Sequence, residues 1–330
     1  MADSRIQRDQ ERHHRSHKLR NTILIIIAVI LIGGGSFAAY KYMMLKNAAD
    51  KSYKSAGIEK ERNTDALLRQ KKPISILLMG TDTGELHRSY KGRTDTMMVV
   101  TINPKTEKTL ITSIPRDTAV NIPGYPAQSP AKINAAYAYG SAKTSIETVQ
   151  KMLNIPIDYY ALINMRGLVQ IVDQVGGVTI SPLLTFDYEG YHFEHNQPTK
   201  MDGKKALAYS RMRYSDPLGD FGREQRQRQL LQTIVNKNGA VSSIMNQGFI
   251  NSLSKTTQTD LTFGDLTKIV AKYHDARSEI QETYLKNQTG REINYQEMEV
   301  TPRSELQAAT NKIRESLDLP YKETGSIAIH

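Results

Sequence analysis

The chain contains no cysteine and no tryptophan, and only 6 phenylalanines among its 330 residues. Without cysteine there is no thiolate nucleophile, no thiolate metal site and no disulfide framework. Several familiar signatures are missing too. No G-x-x-x-x-G-K-[ST] loop occurs, and Gly80-Thr81-Asp82-Thr83-Gly84 does not meet the dinucleotide fingerprint. There is no H-E-x-x-H helix and no G-x-S-x-G elbow, which removes the usual grounds for a zinc protease or a serine hydrolase. His192 and His195 flank Glu194, but their spacing and polar surroundings predict a surface loop rather than a metal site. The low aromatic content does not argue against a folded domain, because the length suffices for a substantial core.

What is abundant is positive charge, a formal +10. It is unevenly placed. Residues 1–20 and 41–72 together take 15 of the 44 basic and 7 of the 34 acidic residues, leaving 29 against 27 for residues 73–330. A nucleic-acid groove requires the opposite distribution, so no nucleic-acid partner is expected. Between the two basic segments lies NTILIIIAVILIGGGSFAAY at 21–40, uncharged and bracketed by Arg20 and Lys41. Twenty helical residues span about 30 Å, the hydrocarbon thickness of a bilayer. We read 1–20 as a cytoplasmic basic tail, 21–40 as an uncleaved transmembrane signal-anchor and 41–72 as an extracytoplasmic stalk. Residues 73–330 are then an extracytoplasmic domain on a single-pass protein of the cell membrane. A cleavable signal peptide is the competing reading, since Ser36-Phe37-Ala38 fits a small-x-small site.

Within 73–330, apolar runs predict strands at Ile74 to Met79, Thr96 to Asn103 and Thr109 to Ile114, the last two joined by a turn too short for anything but an antiparallel hairpin. Helices are expected at Lys132 to Tyr139, Thr144 to Leu153, Arg166 to Gln174, 202–211, 222–237, Leu261 to Tyr273 and Arg303 to Ser316. Further strands are expected at Tyr159 to Ile163, Val178 to Ile180, Glu279 to Leu285 and Tyr295 to Val300. This alternation implies an α/β fold, a layered αβα domain on a mixed sheet.

Pairing the first strand antiparallel to the second would bring Asp82 beside Arg93 and Asp95, and the hairpin would return Arg116-Asp117 to the same edge. Two converging carboxylates raise each other's pKa unless a cation lies between them, and hard oxygen ligands of this kind suit Mg²⁺. Lys132, after Pro130, is expected at a helix start, where the dipole opposes its charge and an anionic ligand would help. The densest feature is ALAYSRMRYSDPLGDFGREQRQRQ at 206–229, with Arg211, Arg213, Arg223, Arg226 and Arg228 and only Asp216, Asp220 and Glu224 among them. Forked guanidinium donors suit phosphate or pyrophosphate, whereas a solvated helix face is the plainer alternative. The first helix should end near Arg211. Arg223 and Gln227 share one face of the next with Arg226 beside them, while Arg228 points elsewhere and is expected to be solvated.

These segments also carry a resemblance. GTDTGE at 80–85, GRTDTMMV at 92–99, SIPRDT at 113–118, KINAAYAYG at 132–140 and the arginine-rich run at 206–229 resemble, in order, the motifs of the LytR-CpsA-Psr family of bacterial cell-wall enzymes. The likeness covers a motif-bearing core of about 73–238. It implies a phosphotransferase that moves a glycopolymer (teichoic acid, capsule or related polysaccharide) from a polyprenyl pyrophosphate carrier onto peptidoglycan at the cytoplasmic membrane. By the same resemblance Asp82 and Asp95 hold Mg²⁺ or Mn²⁺. Arg93, Arg116, Lys132, Arg211, Arg213 and Arg223 grip the pyrophosphate, with Asp220, Arg226 and Gln227 in the same wall. Asp95 and Arg116 are the catalytic pair, Asp95 taking the hydroxyl proton. A metal-dependent pyrophosphatase on the same lipid and a non-enzymatic membrane-associated regulator are the alternatives.

Overall fold

Three consecutive apolar strands form the centre of the sheet because their alternate residues face two different cores. In the computed structural model, which describes residues 42–47, 49–81, 92–237 and 256–330, these are β1 (Ile74–Thr81), β2 (Thr94–Asn103) and β3 (Lys108–Ser113). Both β1–β2 and β2–β3 pair antiparallel, as the strand spacing predicts. The run at 21–40 and Asp82 lie outside the described residues. Among the described residues no helix is long and apolar enough to cross a membrane.

The remaining strands are β4 (Ala119–Val120), β5 (Ala131–Lys132), β6 (Tyr159–Asn164), β7 (Val178–Ile180), β8 (Phe186–Tyr188), β9 (Tyr191–Phe193), β10 (Thr199–Met201), β11 (Thr257–Thr259), β12 (Glu279–Tyr284), β13 (Thr289–Ile293) and β14 (Gln296–Val300). The helices are α1 (Thr64–Arg69), α2 (Ala135–Leu153), α3 (Met165–Gln174), α4 (Gly203–Arg211), α5 (Asp220–Asn236), α6 (Phe263–Lys272) and α7 (Arg303–Ser316). The main sheet runs β11-β6-β1-β2-β3-β12 and is mixed, with β6 parallel to β1 and β12 parallel to β3. Leu77, Met79, Met97, Val99 and Leu110 point to one face, into a core shared with α2 and α7. Ile74, Tyr159 and the partly buried Ile76 and Ile102 point to the other, against Leu68 of α1 and Leu266 and Ile269 of α6. Each fully buried aliphatic side chain of this kind contributes about 1.5–3 kcal/mol.

The compact unit that carries the sheet begins at Ala48, so it takes in much of the segment read as stalk. Polar composition conceals why. Leu68 is fully buried, and Arg62 Nε donates at 2.9 Å to Asp158, whose other oxygen accepts from Ser75 N at the start of β1.

Two features differ from the sequence expectation near the site. Lys132 does not start a helix. It ends the two-residue strand β5, which pairs Ala131 and Lys132 with Val120 and Ala119, and the helix begins only at Ala135. The helices expected at Lys132 to Tyr139 and Thr144 to Leu153 form one element broken at Gly140 and Ser141, where φ and ψ are non-helical. The segment 186–201, for which no elements were predicted, forms the β8–β9 hairpin and β10.

Candidate active site

The β1–β2 ladder ends in an irregularity: Gly80 faces Thr96 but Thr81 faces Thr94. A Cβ at Gly80 would lie 3.0 Å from the Thr96 side chain, so only glycine allows this close approach without displacement. Asp95 is the residue skipped by the shift and sits at the sheet edge with a third of its side chain exposed. The chain leaving β3 returns to that edge through Pro115, whose carbonyl accepts from both Thr118 N and Thr118 Oγ1. The Arg116 and Asp117 carbonyls accept from Asn134 N at 3.2 Å and Glu299 N at 2.8 Å, which fixes the backbone between them.

Arg116 Nη1 donates to Asp95 Oδ1 at 2.6 Å, and its Nε lies 3.8 Å from Asp220 Oδ2 and 3.9 Å from Asp117 Oδ2. Asp220, at the start of α5, is the hub. It also meets Arg223 Nη2 at 2.9 Å and Arg213 Nε at 3.4 Å. Arg223 closes the ring by donating to the Asp95 carbonyl oxygen at 3.1 Å. Lys132 is attached through Asp117, 2.8 Å away. Strand β5 therefore places Lys132 in the cluster although no helix dipole acts on it.

Of the other residues named from sequence, Arg93 is exposed at the entry to β2, next to the cluster in sequence. Arg211 ends α4 as expected, with Met212 as its C-cap, and pairs with Glu189 at the β8–β9 turn at 2.9 Å. Gln227 Nε2 donates to Ser210 O at 3.5 Å. Asp82 lies outside the described residues.

Two arginines are placed differently from the sequence expectation. Arg228 is not solvated; its side chain is 5% exposed, with Nη1 donating to Ser113 Oγ at 2.8 Å and Nε to Glu282 at 3.2 Å. The acceptor strand β12 arrives from more than fifty residues away, which helix-face reasoning does not register. Arg226 is separate from the Asp95–Arg116–Asp220–Arg223 cluster. Its side chain is 1% exposed, and its donors go to Asp216, Met212 O and, at 3.0 Å, Tyr209 O. Gly222 makes room for this, since a Cβ there would collide with the Asp216 carboxylate.

The cluster leaves polar capacity unused. Arg116 Nε, Arg223 Nε, Asp220 Oδ1 and Gln227 Oε1 are all buried without a hydrogen-bond partner. Each such atom costs about 1–3 kcal/mol, a strain that a ligand's oxygens and hydroxyls would relieve. Burial works against the Arg116 charge, but Asp220, Asp95 and Asp117 outweigh it and raise its pKa. Burial lowers that of Arg223, with the neighbouring Arg116 charge adding to the effect and Asp220 opposing it.

Three acids near the cluster, Asp117, Glu224 and Glu299, are not among the site residues expected from sequence. Asp117 was visible only as the neighbour of Arg116, and Glu299 comes from a distant strand with no local signal. Glu224 is 5% exposed on α5, and burial, aided by Asp220, pushes its carboxyl up to about 8 against the partial opposition of Arg228, Arg223 and Arg116. The folded protein thus keeps a proton that the unfolded chain releases above about 4.5, so stability falls as pH rises from there toward 8 and levels off beyond. Glu224→Gln removes this dependence. Its melting temperature should gain on that of the unsubstituted protein across that window, and parallel melting curves against pH would contradict the assignment.

The LytR_cpsA_psr family model matches residues 39–315. The chain is 37% identical over 309 residues, 93% of its own length and 99% of the relative's, to the polyisoprenyl-teichoic acid–peptidoglycan teichoic acid transferase TagU of Bacillus subtilis (strain 168). The TagU of Enterococcus faecalis is 39% identical over 272 residues, covering 82% of this chain and 88% of that one. Among solved structures, protein gbs0355 of Streptococcus agalactiae superposes with a TM-score of 0.71 at 34% identity, covering 82% of this chain and 96% of the other. The mixed-sheet α/β fold agrees with these likenesses, and the chain belongs to the LytR-CpsA-Psr family as an enzyme of the transferase class.

Proposed function

We propose that the chain transfers a glycopolymer from a polyprenyl pyrophosphate carrier to a sugar hydroxyl of peptidoglycan, at the outer face of the cytoplasmic membrane, leaving a phosphodiester link. The observation that carries this reading is the ring Asp95–Arg116–Asp220–Arg223, with Arg213 and Lys132 attached and buried polar atoms left unpaired around it. Several forked cations held by only partly exposed carboxylates suit a ligand that brings two phosphates.

Catalysis in such a site is positioning and charge neutralisation. The acceptor oxygen bonds to the phosphorus that carries the glycopolymer, and the bond from that phosphorus to the bridging oxygen breaks. Polyprenyl phosphate leaves with the electron pair, and Asp95 takes the hydroxyl proton. Arg116 and Arg223 stabilise the charge on the phosphoryl oxygens and the leaving group, while Asp220 holds both guanidinium groups in place. Lys132, positioned by Asp117, adds a point charge from the third side.

A divalent cation, Mg²⁺ or Mn²⁺, fits this donor set. Among the described residues no group of three or more acids and histidines is poised to hold a metal. Mg²⁺, however, commonly uses one or two carboxylates and completes its shell with water and substrate phosphate. Asp95 at the sheet edge and Asp82, next in the chain after Thr81, are the residues that would hold it. The bound ion supplies charge neutralisation at the pyrophosphate.

The full-length protein, incubated with a labelled lipid-linked saccharide and peptidoglycan fragments, should move label into peptidoglycan. Chelation of divalent cations and Asp95→Asn should each stop this. Release of free phosphorylated glycan with no label on peptidoglycan would assign the chain to hydrolysis instead.

A further inference from the structure

The loop that joins α4 to α5, residues 212–219, exposes two large apolar side chains, Tyr214 at 93% and Leu218 at 61%. Scattered exposed apolar residues are ordinary, but these two are presented by a braced support. Asp216 at the loop's centre is tied to the buried Arg226, and it accepts from Leu218 N at 2.8 Å and, through its carbonyl, from Gly219 N at 2.9 Å. The same arginine donates to Met212 O at the loop's start. Arg226 thus fixes the start and the middle from beneath and the far end is bonded back to Asp216, so much of the entropy of ordering the loop is already met by the fold.

The loop is also the rim of the cluster. Arg213 reaches back to Asp220 at 3.4 Å while its guanidinium lies 5.8 Å from the centre of the Tyr214 ring. The acids of this segment face inward: Asp216 is neutralised by Arg226, and Asp220 by Arg213 and Arg223. What faces outward is a tyrosine, a leucine and the partly exposed Arg211 and Arg213, with Arg211 beside its partner Glu189. A polyhydroxylated glycan can use a tyrosine and arginines, but gains nothing from an exposed leucine. A tyrosine and a leucine flanked by arginines instead match the boundary between anionic headgroups and acyl chains, where aromatic rings settle, aliphatic groups insert and guanidinium groups snorkel to phosphate.

We propose that the loop 212–219 docks onto the surface of an anionic phospholipid bilayer, with Tyr214 and Leu218 as its inserted groups, and so holds the mouth of the Arg116–Asp220 cluster against the membrane. This goes beyond the transfer reading and is tested without turnover.

Because the chain has no tryptophan, Tyr214→Trp introduces a single indole reporter. Tyr321→Trp provides the control. Tyr321 is 69% exposed and follows Pro320, whose carbonyl is bonded by Arg314. Arg314 also donates to Asn154 O at the C-terminal end of α2, and Asn103, at the end of β2 far from Asp95, donates to Ser316 O, so the segment leading to Tyr321 starts from the side of the sheet opposite the cluster. With the full-length protein in phosphatidylglycerol vesicles whose acyl chains are brominated, the indole at 214 should show blue-shifted, strongly quenched emission, and the indole at 321 should show neither. Adding Leu218→Asp to Tyr214→Trp should abolish the quenching. Equal quenching at the two positions, or quenching that survives Leu218→Asp, would overturn the proposal. So would an emission change at 214 that requires peptidoglycan fragments and is absent with vesicles alone, which would make the loop a glycan contact.

Discussion

Arg116→Ala should lower turnover roughly 100- to 1000-fold, the scale set by removing one preorganised donor to developing charge. Arg116 is the only side chain that meets Asp95, Asp117 and Asp220 together among the ion pairs of the described residues. On the proposed reading its loss takes away a contact to the phosphate, and it leaves Asp95 without its 2.6 Å partner. The effect should fall on kcat more than on KM, because the charge it stabilises grows as the phosphoryl group moves. Arg116→Lys should recover only part of the rate, since an ammonium cannot bridge Asp95 and a phosphate with separate, fixed donors. Steady-state kinetics on variants whose thermal melts match the unsubstituted protein would check this. Full turnover by a folded Arg116→Ala protein would remove Arg116 from the reaction.

Arg226→Ala should act on stability instead. Its guanidinium and the Asp216 side chain are 1% and 6% exposed, so truncation leaves a buried carboxylate uncompensated and two carbonyls without a donor. Breaking a pair of this kind costs about 3–5 kcal/mol, a large share of the stability of an ordinary domain. Urea unfolding should show the midpoint falling accordingly. A substrate-gripping arginine would behave otherwise, giving a normally stable protein with little activity. Arg226 and Arg116 thus separate two roles that residue type alone does not distinguish.

That separation shows where the sequence was legible. The β1–β2–β3 meander was readable because each strand is an apolar run closed by Gly80, Asn103-Pro104 or Pro115, and strand polarity then forces Asp95 and Arg116 to one edge. The end of α4 at Arg211 was readable because Arg211 and Arg213 share a face only if the helix stops. Lys132 was misplaced because a two-residue strand has no periodicity to detect, and its partner β4 announces itself no better. Arg228 was misplaced because its acceptors, Ser113 and Glu282, come from two other strands that meet only in the folded sheet. Arg226 is the instructive case. The signal that it is structural was present in Asp216 and Gly222, but a lone acid and a lone glycine become informative only when the loop between α4 and α5 folds the one onto the other.

On the proposed function, the carrier's pyrophosphate binds within the ring formed by Asp95, Arg116, Asp220 and Arg223. A crystal structure of the protein with a polyprenyl pyrophosphate glycan tests it most directly. Both phosphates should lie within hydrogen-bonding distance of Arg116 and Arg223, with Arg213 or Lys132 completing the contacts and Arg226 still bonded to Asp216. Phosphates bound away from Arg116 and Arg223, or an Arg226 drawn out to meet them, would contradict it.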